Sequence, residues 1–119
     1  STDGSPTMRH PRSFGSFPKV IEEYVVRDNV LSIELAINKM TGQTAKIFGL
    51  QSRGLLKEGL AADILVMDIN NIKANTTWTN IFAPPSGFDY VIVNGHLTDT
   101  TAKSSQPTFG RILLKHKGD

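Results

Sequence analysis

The sequence predicts an α+β chain. Three short helical patterns lie in a row across residues 17–49, and short apolar runs bounded by turn residues follow after Gly49. A length of 119 residues supplies one modest domain, whereas a complete (β/α)₈ barrel takes roughly 250 residues.

Each element has a local reason. Residues 1–16 read as a polar loop, because Gly4, Pro6, Pro11 and Gly15 interrupt any regular pattern. Ser16 is placed to cap a helix with Pro18 in its first turn, where a missing N–H costs little. Phe17, Val20, Ile21 and Tyr24 then recur at helical spacing, and Asp28-Asn29 ends the element. Ser32 is placed to cap a second helix carrying Ile33, Ala36, Ile37 and Met40. Thr41 is placed to cap a third, which holds Ala45, Ile47 and Phe48 and stops at Gly49. Gly54 and Gly59 bracket a turn, and Ile64-Leu65-Val66-Met67 reads as a buried strand. Residues 70–87 read as an irregular connection. Val91-Ile92-Val93, Asn94-Gly95 and His96-Leu97-Thr98 spell a β-hairpin whose two turn residues tolerate positive φ. Ser104–Pro107 reads as loop, and Ile112-Leu113-Leu114 as a last strand. Three or four strands make a thin sheet, and the helices have apolar faces with little sequence left to cover them.

Composition excludes several classes. Hydrophobic residues make up 39% and charged residues 20%, the balance of a folded globular chain. No run of about 18 apolar residues provides a membrane span, and the opening STDGSPTMRHPR does not read as a signal peptide. The net charge is +2, and the densest basic segment, RILLKHKGD, reads as a solvated tail; basic residues interleaved with aromatics, as nucleic-acid binding would want, are absent. With no cysteine the chain holds neither disulfides nor thiolate-bound zinc, which fits a cytoplasmic protein. Because it does not begin with Met and opens in mid-motif, a fragment or processed chain is expected.

The opening loop concentrates Asp3, Arg9, His10 and Arg12, groups able to bind ligands or transfer protons. Taken alone, Asp3 before a glycine is a common turn residue, Arg12 a surface arginine, and His10 either a pocket or a packing residue. His96 and His116 have no second His or carboxylate at metal-ligand spacing. Asp63, ahead of a strand, suits stabilising a turn, and Trp78 and Phe82 suit anchoring a loop.

Particular strings carry a resemblance. Thr2-Asp3-Gly4, His10-Pro11-Arg12, Phe14-Gly15 and Gly15-Ser16-Phe17-Pro18, followed by LSIELAINKMTGQTAKIFGL, SRGLLKEGLAADILVMD, YVIVNGHL and GRILL, occur in order along nearly the whole chain. The chain thereby resembles the C-terminal part of the N-acyl-D-amino-acid deacylases, the D-aminoacylases of the amidohydrolase superfamily. The Gly59, Ala62, Asp63 string is shared widely across amidohydrolases, whereas the HPR-x-x-G-x-F-P string is far more specific. The interval from Asp3 to His10 is a little shorter than the family's, which bears on pocket shape.

The resemblance implies that residues 1–50 are the C-terminal end of a (β/α)₈ barrel domain, with its last strand-to-helix loop and helices. Residues 51–119 would be the C-terminal part of a small β-sandwich. It implies a catalytic role for Asp3, as proton carrier and possible metal ligand, a substrate-carboxylate role for Arg12, and a pocket role for His10. Zinc is implied in the complete enzyme and none bound by this chain alone, because catalytic zinc takes three protein ligands and those of earlier strands are absent. The partners implied are an N-acyl-D-amino acid and a missing N-terminal barrel, with no nucleic acid or membrane. The expectation is an enzyme part inactive alone. The alternative is a remnant that works as a self-associating structural or interaction module.

Overall fold

The computed structural model describes residues 7–98 and 108–114. They fall into two compact units, one drawn from within Ser1–Ala36 and Met67–Phe88, the other from within Ile37–Val66 and Asp89–Asp119.

The chain is α+β, as its patterns predict. The first helix, however, is longer than predicted. Helix α1 spans Arg12–Lys19 and continues without a break into a π-helical segment, Val20–Arg27. The predicted loop therefore ends at Pro11, which takes the N-cap place, and Pro18 lies inside the helix rather than in its first turn. Ser16 is not a cap: its hydroxyl donates to the Arg12 carbonyl at 2.8 Å, the back-bonding habit of a serine within a helix. Pro18 removes one backbone donor from the ladder. Two residues later the turns widen to the i→i+5 spacing, seen where the Asp28 N–H donates to the Glu23 carbonyl at 2.8 Å. The widened turns leave Ile21 buried at 4% exposure but Phe17 and Tyr24 nearly half exposed, so the predicted four-residue face is only partly realised. Asn29, with φ 50°, ends the segment in left-handed backbone.

Helix α2, Ile33–Met40, starts as predicted, with the Leu35 N–H donating to Ser32 Oγ at 3.2 Å. Helix α3, Gly42–Phe48, has Thr41 at its N-cap position, but the hydroxyl donates back to the Ile37 carbonyl at 2.7 Å and caps nothing. Its end is a Schellman motif. Gly49 sits at φ 72° and donates to Lys46 O at 3.2 Å, while Leu50 donates to Ala45 O at 2.8 Å.

Strands β1, Ile64–Met67, β2, Phe88–Val93, and β3, His96–Thr98, form one sheet in the order β1-β2-β3. Strands β2 and β3 pair antiparallel through Val91↔Thr98, Ile92↔Leu97 and Val93↔His96. Asn94 and Gly95 turn the hairpin with φ of 49° and 78°, the pair of positive values a type I′ turn needs. Strand β1 is where the apolar run places it but is not buried. Leu65 is 51% and Val66 43% exposed, and because adjacent strand residues face opposite ways, both faces of β1 lack full cover. Ile112–Leu114 forms no strand; Ile112 is 91% exposed.

Among the described residues, the buried hydrophobic side chains are Ile21, Ala36, Ile72 and Ala74 in the first unit, beside the buried Pro18, and Ala45 in the second. The 70–87 connection is irregular, as predicted, yet it supplies Ile72 and Ala74 to the core of the first unit. Lys73 and Ser86 bridge antiparallel across it, with N–H···O distances of 3.1 and 3.0 Å.

Candidate functional site

A cleft of about 480 Å³, of mixed polar and apolar lining, opens in the first unit between the start of the long helix and the 73–78 loop. It is built on two close approaches. Gly15 is buried, and a side chain there would run into the Thr76 hydroxyl, so the glycine of the Phe14-Gly15 pair is what lets the loop lie against α1. Farther along, Glu22 ties the same loop down: Oε2 accepts the Ala74 N–H at 2.8 Å and Oε1 lies 3.4 Å from Lys73 Nζ.

His10 and Arg12 both line this cleft. His10 Nδ1 accepts the backbone N–H of Arg12 at 3.1 Å, satisfying one of the donors that the first turn of a helix leaves without a partner. Its ring meets Trp78 edge-to-face, with centroids 4.7 Å apart and planes at 73°. Arg12 is an exposed first-turn residue at the cleft lip. Lys19 and Glu23, 3.7 Å apart on the next turns, continue the same wall. The cleft therefore carries cations and carboxylates together, with an arginine at its mouth suited to planar carboxylate recognition. Phe14, on the neighbouring face, packs edge-to-face on Phe82 at 5.7 Å.

Asp3, the carboxylate expected to be catalytic, lies outside the described residues, as does His116. The structure thus brings two of the three expected site residues together. Trp78, Glu22, Gly15 and Lys73 were not legible as site residues. Trp78 is the chain's single tryptophan, and its 75% exposure is the kind of signal that sequence does not carry.

Among the described residues, no group of three or more His, Cys, Asp or Glu side chains could hold an ion. His96 stacks on Phe109, centroids 4.2 Å apart and planes at 10°.

In the second unit Asp63 stabilises a turn, as its position suggested. It pairs with Arg53 and accepts the Asn94 N–H at 2.8 Å, and Arg53 also donates to the Asn94 side-chain oxygen. Burial pushes the Asp63 carboxyl up, but the bonds from Asn94 and Arg53 outweigh it and hold the group below its ordinary value. No described helix is long and apolar enough to cross a membrane.

The amidohydrolase family pattern matches residues 1–98. The chain is 38% identical over 116 residues to an N-acyl-D-glutamate deacylase of Alcaligenes xylosoxydans xylosoxydans, covering 96% of this chain and 24% of that protein. It is 40% identical over 114 residues to an N-acyl-D-aspartate deacylase of the same organism, covering 94% and 23%. Among solved structures, the N-acyl-D-glutamate deacylase of Bordetella bronchiseptica, complexed with zinc and a phosphonate inhibitor, matches with a TM-score of 0.72 and 35% identity. A D-aminoacylase described as defining a novel subset of amidohydrolases matches with a TM-score of 0.72 and 36% identity. Each match covers 74% of this chain and 19% of the other. The chain spans about a quarter of the length of the sequence relatives it matches. The matched pattern, covering most of the chain, and the solved structures agree: this chain belongs to the amidohydrolase family.

Proposed function

We propose that this chain is the C-terminal part of a metal-dependent hydrolase that cleaves the amide of N-acyl-D-amino acids. The observation that carries the reading is the meeting of His10 and Arg12, from the motif most specific to the deacylases, on one cleft. In this reading Arg12 holds the substrate α-carboxylate through its guanidinium fork, fixing the scissile amide. His10 lines the same pocket. Asp3 carries the proton from the attacking water to the leaving amine, a role open to a carboxylate beside the reacting atoms. Residues 1–50 complete a (β/α)₈ barrel, and residues 51–119 contribute to a small β-sandwich.

Zinc belongs to the complete enzyme in this reading. No group of described side chains makes a site for it; in this reading Asp3 is a candidate ligand and the others come from the rest of the complete enzyme. The chain by itself is accordingly inactive. Release of free amino acid from N-acetyl-D-glutamate, with the L-isomer as control, tests this. The complete zinc-loaded protein should turn over the D-isomer and the isolated chain neither; turnover by the isolated chain would overturn its inactivity. Failure of a zinc-loaded complete protein on a panel of N-acyl-D-amino acids would overturn the activity.

A second reading, a self-associating module, draws on exposed apolar side chains such as Leu56 at 83% and Ile112 at 91%. Light scattering separates the two, since a stable monomer at high concentration would argue against self-association.

A further inference from the structure

We propose that His10 is a positioning residue rather than a substrate ligand, and that it acts with Trp78 as a clamp on the backbone of Arg12. The inference rests on the reading of Arg12 as the carboxylate-binding residue. Three observations carry it. His10 Nδ1 accepts the Arg12 N–H at 3.1 Å. The imidazole is half-buried, held edge-to-face on Trp78 at 4.7 Å. Trp78 in turn belongs to the loop that Gly15 admits against α1 and Glu22 fastens through the Ala74 N–H.

The consequences follow from hydrogen-bond chemistry. A nitrogen that accepts a bond cannot carry the proton, so the neutral ring has its hydrogen on Nε2. Arg12 occupies the first position of α1, among the backbone donors that a helix start offers to side-chain acceptors. His10 Nδ1 accepts that N–H and so steadies the backbone from which the guanidinium projects. Other charged groups line the cleft: Arg12, Lys19, Glu22 and Glu23 on the helix and Lys73 on the facing loop. Glu22 and Glu23 pair with Lys73 and Lys19 respectively, and the ring itself is held by the Arg12 N–H on one side and by Trp78. A single histidine two residues before the arginine thus serves as its brace, and Trp78 keeps the brace from rotating.

The test uses the chain as it stands and, separately, the complete enzyme. In the chain labelled with ¹⁵N-histidine, the His10 ring should show an unprotonated Nδ1 and a protonated Nε2, and the Arg12 amide should exchange slowly. His10→Ala should speed that exchange about three- to tenfold, the scale of one hydrogen bond. His10→Asn, whose carboxamide oxygen can still accept the bond, should recover most of the protection. Trp78→Ala should mix the two tautomers. A dominant Nδ1–H tautomer, or an Arg12 amide indifferent to His10→Ala, would overturn the proposal. In the complete enzyme, His10→Ala should raise KM about three- to tenfold with kcat within twofold, and His10→Asn should restore KM. An equal fall in kcat and kcat/KM, with KM unmoved, would assign His10 to the chemistry and overturn positioning. If the complete enzyme turns over no N-acyl-D-amino acid, the functional reading fails, while the tautomer and the Arg12 exchange still decide whether His10 braces Arg12.

Discussion

Asp63 and Asn94 hold the start of β1 to the β2–β3 turn: one Asp63 oxygen accepts the Asn94 N–H at 2.8 Å while the other pairs with Arg53. The Arg53 side chain is only 15% exposed, and its Nε is buried with no partner among the described residues. Its charge therefore depends on the carboxylate. Asp63→Ala should destabilise the chain by about 1–3 kcal/mol, mostly by leaving that guanidinium without its counter-ion. Urea unfolding monitored through Trp78 fluorescence measures it, and a change within error of zero would show that the pair is ornamental.

The same carboxylate gives a pH signature. Its folded-state titration lies below the ordinary 3.8, because the Asn94 and Arg53 bonds prevail over burial. The folded form thus prefers Asp63 ionised more strongly than the unfolded chain does. The contribution is fully present above the ordinary carboxylate range and fades as pH falls toward the lowered value. Asp63→Asn should flatten stability across that acid window while lowering it at neutral pH. A mutant with the wild-type acid slope would count against this assignment.

Two glycines with nearly the same backbone angle should respond differently to alanine. Gly87, at φ 90°, would place a Cβ 2.6 Å from both Asn71 O and Ile72 Cα, beside the most buried residues of the first unit. Gly59, at φ 84°, faces open space. Gly59→Ala should cost about 1–2 kcal/mol of backbone strain. Gly87→Ala should cost clearly more, since the Asn71–Ile72 backbone has to move as well. Paired thermal melts compare them directly.

Two predicted caps separate in the same way. Ser32→Ala removes a bond to the Leu35 N–H and should lower stability by about 1 kcal/mol. Thr41→Ala removes only a bond to the Ile37 carbonyl, which already belongs to a helix, and should cost less. Helicity of each variant through a thermal melt reads the difference; equal losses would mean that the Thr41 hydroxyl contributes as much as a cap.

Arg12→Lys keeps the charge but loses the planar fork. In the complete enzyme it should raise KM for an N-acyl-D-amino acid at least about tenfold, if two charge-assisted bonds become one. Initial rates against substrate concentration give the answer, and an unchanged KM would remove Arg12 from the carboxylate site.

What the sequence by itself determined is local. Ser32, Gly49, Asn94 and Gly95 each impose a backbone conformation through their own chemistry, and each element they bound lies where the pattern put it. The HPR and Gly-x-x-Ala-Asp strings identified the family because they preserve residue order. Local reasoning misplaced the first helix, because Pro18 is as compatible with a helix start as with the interior of a helix that widens two residues later, and only the packing of Ile21 and Pro18 distinguishes the two. It overstated the burial of β1 and gave Ile112–Leu114 a strand, because an apolar run does not reveal what lies over it or pairs with it. Tertiary structure alone decided that Trp78, some 68 positions away in sequence, stands against His10, and that Glu22 fastens the loop bearing it across 52 residues. Such contacts depend on chain closure around a small core of Ile21, Ile72 and Ala74, and no periodicity of 2 or 3.6 residues encodes them.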